Sequence, residues 1–276
     1  MKVTFWGTRG SIATPGPDTT RYGGDTSCVS VEGSDPRHLL ILDAGSGIRR
    51  LGLTVGPTIQ RIDLMLSHLH LDHIVGLGFF APLFRPDLTI TIWGPRALTP
   101  LEDRLGRYLS PPLFPVRLRD LPSSYELREV PDGPFTVGPF TITAEAVIHP
   151  DPAVGYRVDE GGRYLAYLPD HEPALGPEFP SDPEWTSGAG VATGADLLIH
   201  DAQYTAAEYA ERVGWGHSSV EDAVAFADLV GAQRLALFHH DPSRSDADVD
   251  ALLERARRTR RTGEAFAARE GTPIAV

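Results

Sequence analysis

Cysteine is almost absent from this 276-residue chain, where Cys28 stands alone. No intrachain disulfide can form, and a bound metal has to be held mainly by nitrogen and oxygen ligands. Apolar runs approaching the ~20 residues of a membrane span are also missing, although hydrophobic residues make up 41% of the chain, enough for a sizeable core. A soluble globular protein with no membrane partner is therefore expected. The opening MKVTFWGTRG lacks the apolar core and small-residue cleavage site of a signal peptide, so the expected location is the cytoplasm. Positive charge is short as well: 25 Lys and Arg against 37 Asp and Glu leave a net −12. That balance disfavours broad contact with a nucleic-acid backbone, so no DNA partner is expected and RNA ranks below a small anion, which a bound cation could attract.

What is present reads as an α/β, or layered α+β, pattern over a single domain spanning residues 1–276. Runs rich in β-branched and aromatic residues predict strands at 2–6, 38–43, 62–66, 88–93, 139–148, 163–168, 196–199 and 234–238. Helical periodicity appears at 46–53, 96–108, 218–230 and 246–261, the last two opened by GHSSVED and SRSDADVD, whose Ser and Asp can cap free backbone N–H groups. IVGLGFFAPLF reads as a buried helix or turn, and the Pro/Gly-rich stretches 110–122 and 173–190 as surface excursions. A long glycine- and proline-rich loop, residues 8–25, follows the first strand directly, and such loops often carry function. Neither an internal repeat nor a clean interdomain linker is evident.

The densest chemistry lies in SHLHLDHIVG, where His68, His70, Asp72 and His73 fall within six positions between two apolar runs. An irregular turn at a strand end carrying His-x-His-x-Asp-His can wrap one or two cations, and imidazole and carboxylate suit Zn²⁺, Mn²⁺ or Fe²⁺. One turn cannot complete two coordination shells. His149, Asp170 and His239 also sit at the ends of strand-like runs and are candidates to complete them.

With those residues in order, the chain resembles the metallo-β-lactamase fold superfamily of metallohydrolases. Asp43 in LILDAGSG matches the first motif, HLHLDH the second, His149 the third, Asp170 the fourth and His239 the fifth. The resemblance implies a four-layer αββα sandwich with two divalent metal ions, Zn or Mn. His68, His70 and His149 would hold one, Asp72, His73 and His239 the other, with Asp170 bridging and Asp43 supporting the ligands from behind. His239 is chosen over His240 because strand alternation turns one of the pair inward.

LLIHDAQYT and GWGHSSVEDAV are similar to paired motifs of ribonuclease Z and its phosphodiesterase relatives, with Asp201 where Glu is usual. The resemblance implies that His217 contacts the scissile phosphate or assists the leaving group, near a helix start whose N–H groups favour anions. His200 would support the site, Asp201 and Asp72 would share in catalysis, and Asp72 or Asp170 would orient the attacking water. Thr8, Arg9, Ser11 and Ser218 become candidates for phosphate contact. The diiron oxidoreductases of the superfamily usually place Glu where His70 stands, which argues against redox chemistry. Ribonuclease Z proper carries a tRNA arm between its third and fourth motifs, and here only 170 − 149 = 21 positions separate them. The expected substrate is therefore a small phosphodiester such as a cyclic nucleotide or phosphoribosyl cyclic phosphate. An RNA-end nuclease, a thioester or lactone hydrolase and a non-catalytic nucleotide binder are the alternatives, and a homodimer stays open.

Overall fold

The structure, a computed structural model, describes residues 1–175 and 182–276. Two seven-stranded sheets face each other. The first contains β1 (Lys2–Gly7), β2 (Cys28–Glu32), β3 (His38–Leu42), β4 (Arg61–Met65), β5 (Thr89–Gly94) and β6 (Ser124–Glu129). The second contains β7 (Phe135–Val137), β8 (Phe140–Ala146), β9 (Val154–Glu160), β10 (Arg163–Leu168), β11 (Leu197–Asp201), β12 (Arg234–Phe238) and β13 (Glu264–Ala267). A last strand, β14 (Pro273–Ala275), returns to the first sheet beside β1. Strands β3 to β6 run parallel, as do β10 to β13, so both halves are covered on two faces.

Alternation along each strand sorts its side chains between those faces. Leu40 and Leu42 of β3 meet Leu165 and Tyr167 of β10 and Ala236 and Phe238 of β12 between the sheets. Leu39 and Ile41 turn outward with α1 (Ile48–Thr54). The short α2 (Leu71–Ile74) and the longer α3 (Leu101–Tyr108) complete that outer layer. On the far side, α4 (Ala189–Ala192), α5 (Ala206–Tyr209), α6 (Val220–Leu229) and α7 (Asp246–Thr259) follow in chain order. Leu198 of β11 and Leu235 and Leu237 of β12 pack there with Phe226 and Leu253. The result is the expected αββα sandwich. Among the described residues no helix is long and apolar enough to cross a membrane.

All eight strands expected from the sequence form, but β2, β6, β7, β9, β13 and β14 were not anticipated. Strand β6 is an edge strand, SYELRE, with no fully buried residue, so it lacks the apolar run that marks a strand. The helix expected from 96 begins only at Leu101, because Pro100 holds extended backbone as its N-cap. The stretch after α2 is two short 3₁₀ turns, Leu77–Phe79 and Ala81–Phe84. Helices α6 and α7 open on Ser219 and Ser245, whose side chains accept from the N–H groups of Asp222 and Asp248. Within the 173–190 stretch, residues 176–181 lie outside the described residues.

Phe140 is fully buried between the sheets and away from the histidine cluster. Phe140→Ala should lower unfolding stability by about 3–5 kcal/mol in urea denaturation, through lost transfer energy plus the cavity left behind, with metal content unchanged.

Candidate metal centre

The ends of β3, β4, β10, β11 and β12 converge at one end of the sandwich. After β3 the backbone of Asp43 turns into the left-handed region, φ 60°, and delivers its carboxylate beneath the chain leaving β4. Asp43 Oδ1 accepts the Ser67 N–H at 2.7 Å, and Oδ2 accepts the Ser67 and Tyr167 hydroxyls, each at 2.8 Å. Oδ2 also takes His73 Nδ1 at 2.7 Å, which leaves Nε2 of that ring pointing at the cluster. His70, with extended backbone, is the N-cap of α2, so Asp72 and His73 fall in the helix's first turn.

Three groups of side chains form there, each with possible ligand atoms within 4.8 Å of one another: His68, His70, His149 and Asp170; Asp72, His73, Asp170 and His239; and, sharing His239 with the second, Asp201, His217 and His239. Asp170 belongs to the first two. Its Oδ2 lies 3.6 Å from His68 Nε2 and 3.9 Å from His149 Nε2, while Oδ1 lies 2.9 Å from His73 Nε2 and 3.2 Å from His239 Nε2. Asp72 Oδ2 reaches His73 Nε2 at 3.3 Å and His239 Nε2 at 3.1 Å. His68 Nε2 and His149 Nε2 are buried without a hydrogen-bond partner among the described residues. A buried unpaired polar atom costs about 1–3 kcal/mol, so these two, both in the first group and beside one carboxylate, fit a cation held there.

The electrostatics agree. Burial pushes His68 and His149 down, toward the neutral form that donates a lone pair. For Asp72 and Asp170 burial works the other way but is outweighed by the neighbouring imidazoles, which hold both carboxyls well below the usual range. Burial likewise opposes charge on His73, yet Asp170, Asp72 and Asp43 together raise it well above an ordinary histidine. The carboxylates thus draw positive charge to the spot, a place that metals can take from protons.

His239 and His240 are separated by a bend and not by alternation. Strand β12 ends at Phe238, and His239 follows with φ 57°. Its Nδ1 meets Gln203 Oε1 at 2.9 Å, and a Cβ on Gly10 would lie 2.4 Å from the ring, so only glycine fits there. His240 turns instead toward the Ala268 carbonyl at 3.4 Å.

His217 closes the cluster. Its Nδ1 lies 2.7 Å from Asp201 Oδ2 and 3.8 Å from Asp170 Oδ2, and its ring stacks on His239 with centroids 5.1 Å apart. Burial opposes its charge, but Asp201 outweighs it and pushes the ring up to about 9. The preceding loop is held by the buried carboxylate of Glu172, which accepts the N–H groups of Gly214 and Gly216 and the Tyr209 hydroxyl. Gly216, φ 84°, sits so close to His149 that a Cβ would lie 2.4 Å from the ring.

Several expected contacts are corrected. Arg9 is fully buried and donates to the carbonyls of Gly23, Asp241 and Arg244, so it ties loops together and does not meet phosphate. Thr8 is buried on the Tyr22 carbonyl, and Ser218 on that of His171. The start of α6 is also taken: Ser219 caps it, Glu221 and Asp222 make its first turn acidic, and the Ser218 N–H goes to Asp201. Ser11 does lie at the site, its N–H donating to Asp72 Oδ2 at 2.7 Å. Asp201 is buried behind His217 and orients it. His200, which burial pushes down to about 4, bonds His171 at 2.8 Å one layer further back. Sequence reasoning missed Gln203, Glu172, Ser67, Tyr167 and Asp151, whose carboxylate lies 3.0 Å from His70 Nε2. Gln203 was findable within HDAQYT, and Tyr167 from its inward phase on β10.

A family model described as a beta-lactamase superfamily domain matches residues 38–240. The ribonuclease Z of Natronomonas pharaonis is 26% identical, over 99% of this chain and 97% of its own length. The human short-form tRNase Z structure superposes with a TM-score of 0.70 at 23% identity, covering all of this chain and 99% of that one. A diphosphatase of the PhnP family superposes at 0.69 with 18% identity, covering all of this chain and 97% of that one. At those identities the two structures bear on the fold alone.

Elemental analysis of fully loaded protein should give two metal equivalents, with Asp72→Ala and His239→Ala each losing about one. His240→Ala should keep both; a loss there with retention in His239→Ala would move the ligand one residue along.

Proposed function

The chain belongs to the β-lactamase superfamily, whose model spans residues 38–240, and from that premise we propose a metal-dependent phosphodiesterase acting on a small phosphodiester. Cyclic nucleotides and phosphoribosyl cyclic phosphates belong to that class. The observation that carries the reading is the Asp201–His217 pair set against the carboxylate shared by the first two groups of side chains. A metal-binding cluster alone serves many hydrolases; a buried, carboxylate-oriented imidazole beside it serves a reaction whose leaving oxygen needs a proton.

In this reading His68, His70 and His149 would hold one cation and Asp72, His73 and His239 the other, with the Asp170 carboxylate within reach of both groups. Divalent cations in that N/O set, zinc or manganese, supply an activated water and neutralise phosphoryl charge. The rest falls to the chain. Asp43 fixes the orientation of His73, and Gln203 that of His239. Asp201 takes Nδ1 of His217, leaving Nε2 as its free polar atom, and favours the imidazolium. From Nε2 the proton passes to the departing alkoxide, a step worth ~10²–10⁴ in rate. Glu172 keeps the His217 loop against His149, so acid and ligands hold a common register.

Two observations favour a small substrate over RNA. The chain between His149 and Asp170 is filled by β9 and β10, joined at Gly161 and Gly162, both at positive φ, which is a two-residue hairpin turn with no appended arm. The net charge is −12. A ribonuclease acting on RNA ends is the second reading, favoured by relatives named ribonuclease Z at 26–28% identity and ribonuclease BN at 24%.

His217→Ala should keep its metals and lose ~10²-fold or more in kcat on an unactivated diester, and less on a p-nitrophenyl ester, whose leaving group needs little protonation. An equal loss on both would make His217 a positioning residue. No loss on either, or cleavage of 3′-extended RNA in preference to every small diester, would overturn the reading.

A further inference from the structure

A cavity of ≈ 870 Å³ opens directly beside the metal centre. His70 and Asp151 are among its lining residues, so it adjoins the first histidine group. Its walls are aliphatic: Leu69, Leu71 and Ile74 from the turn around α2, Leu98 from the loop before α3, Leu113 beyond it, and Pro152. Most polar groups in the wall are already engaged by the protein. The Tyr108 hydroxyl donates to the Val75 carbonyl at 2.6 Å, Arg104 to the Pro95 carbonyl and Glu129, and Arg96 to Asp132. What remains for a ligand is mostly hydrocarbon surface, together with Thr99, Arg107 and the Arg104 Nε, which has no hydrogen-bond partner among the described residues.

The leucines matter because they are uncovered. Leu71, Leu98 and Leu113 are 62%, 106% and 70% exposed, yet they gather around one concavity instead of scattering over the surface. A concave apolar site of this size, ending in a few polar groups at a reactive centre, is the usual form of a small-molecule pocket. A nucleobase edge set against the leucines would leave its donors and acceptors unpaired, at a cost that a hydrocarbon group does not incur.

We propose that this cleft binds an apolar arm of the substrate, so that the favoured phosphodiester carries one bulky, uncharged, hydrocarbon-rich ester group. The inference rests on the phosphodiesterase reading and narrows it, placing compact polar diesters below those with an apolar arm. The cleft is a specificity site: the arm is held by leucine side chains while the phosphate reaches His70 and its neighbours.

The test holds the leaving group constant and varies the arm. Metal-reconstituted protein is assayed with methyl, phenyl and octyl p-nitrophenyl phosphates. Wild-type kcat/KM should be about tenfold or more higher for the phenyl and octyl esters than for the methyl ester, mostly through KM, because buried hydrocarbon adds binding energy. In Leu98→Asp and Leu113→Asp that ratio should fall toward one with metal content unchanged. A wild-type ratio near one, or a ratio that both variants leave intact, overturns the proposal. If no ester is cleaved at all, calorimetric binding of octyl methyl phosphate decides. Binding that Leu98→Asp abolishes keeps the cleft and discards the phosphodiesterase reading; no binding discards the cleft. A stable dimer in sedimentation that Leu98→Asp dissociates, with the substrate ratio unaltered, assigns the leucines to a second copy of the chain and also overturns it.

Discussion

Asp170 is the joint on which the arrangement depends. Its carboxylate leaves the end of β10 in the second sheet and turns one oxygen toward His68 and His149 and the other toward His73 and His239. His68 and His73 come from the first sheet's β4 turn and His239 from the end of β12, so one buried side chain registers the two halves of the sandwich. Burying an ionised group is expensive unless opposite charge and polar contacts surround it. The surrounding imidazoles meet that need, and cations meet it more fully. The inter-sheet core of leucine, phenylalanine and tyrosine supplies the rigidity that keeps such a dense set of polar groups in place.

Behind the ligands stands a second layer that decides their orientation. Asp43 sets the face that His73 presents, Gln203 that of His239, and Asp201 that of His217. Backbone conformation matters as much: Asp43 and His239 both sit at positive φ, an uncommon state for residues other than glycine, and both do so at the site. The strain is thus concentrated where side chains must leave a strand abruptly.

Much of this was legible in the chain itself. HLHLDH, His149, Asp170 and His239 announce themselves because ligand residues at strand ends follow apolar runs, and the runs reveal the strands. The choice of His239 was reached through alternation, whereas the structure separates the pair by a left-handed residue after the strand, a feature periodicity does not show. Arg9 misled for a related reason: an arginine in a glycine-rich loop reads as an anion contact, but here the loop folds over it and its guanidinium satisfies carbonyls more than 230 positions away in sequence. Glu172 and Asp151 were invisible because their partners are brought together only by the tertiary fold. Strands without a buried run, such as β6, escaped for want of a hydrophobic signal.

Manganese loading offers the most direct view of the shared carboxylate. Two Mn²⁺ ions held on either side of Asp170 should give an exchange-coupled electron paramagnetic resonance spectrum at two equivalents per chain, and Asp170→Ala should abolish the coupling. A simple six-line spectrum from isolated manganese in the fully loaded wild-type protein would contradict the account, because the two groups of ligands would then not be joined.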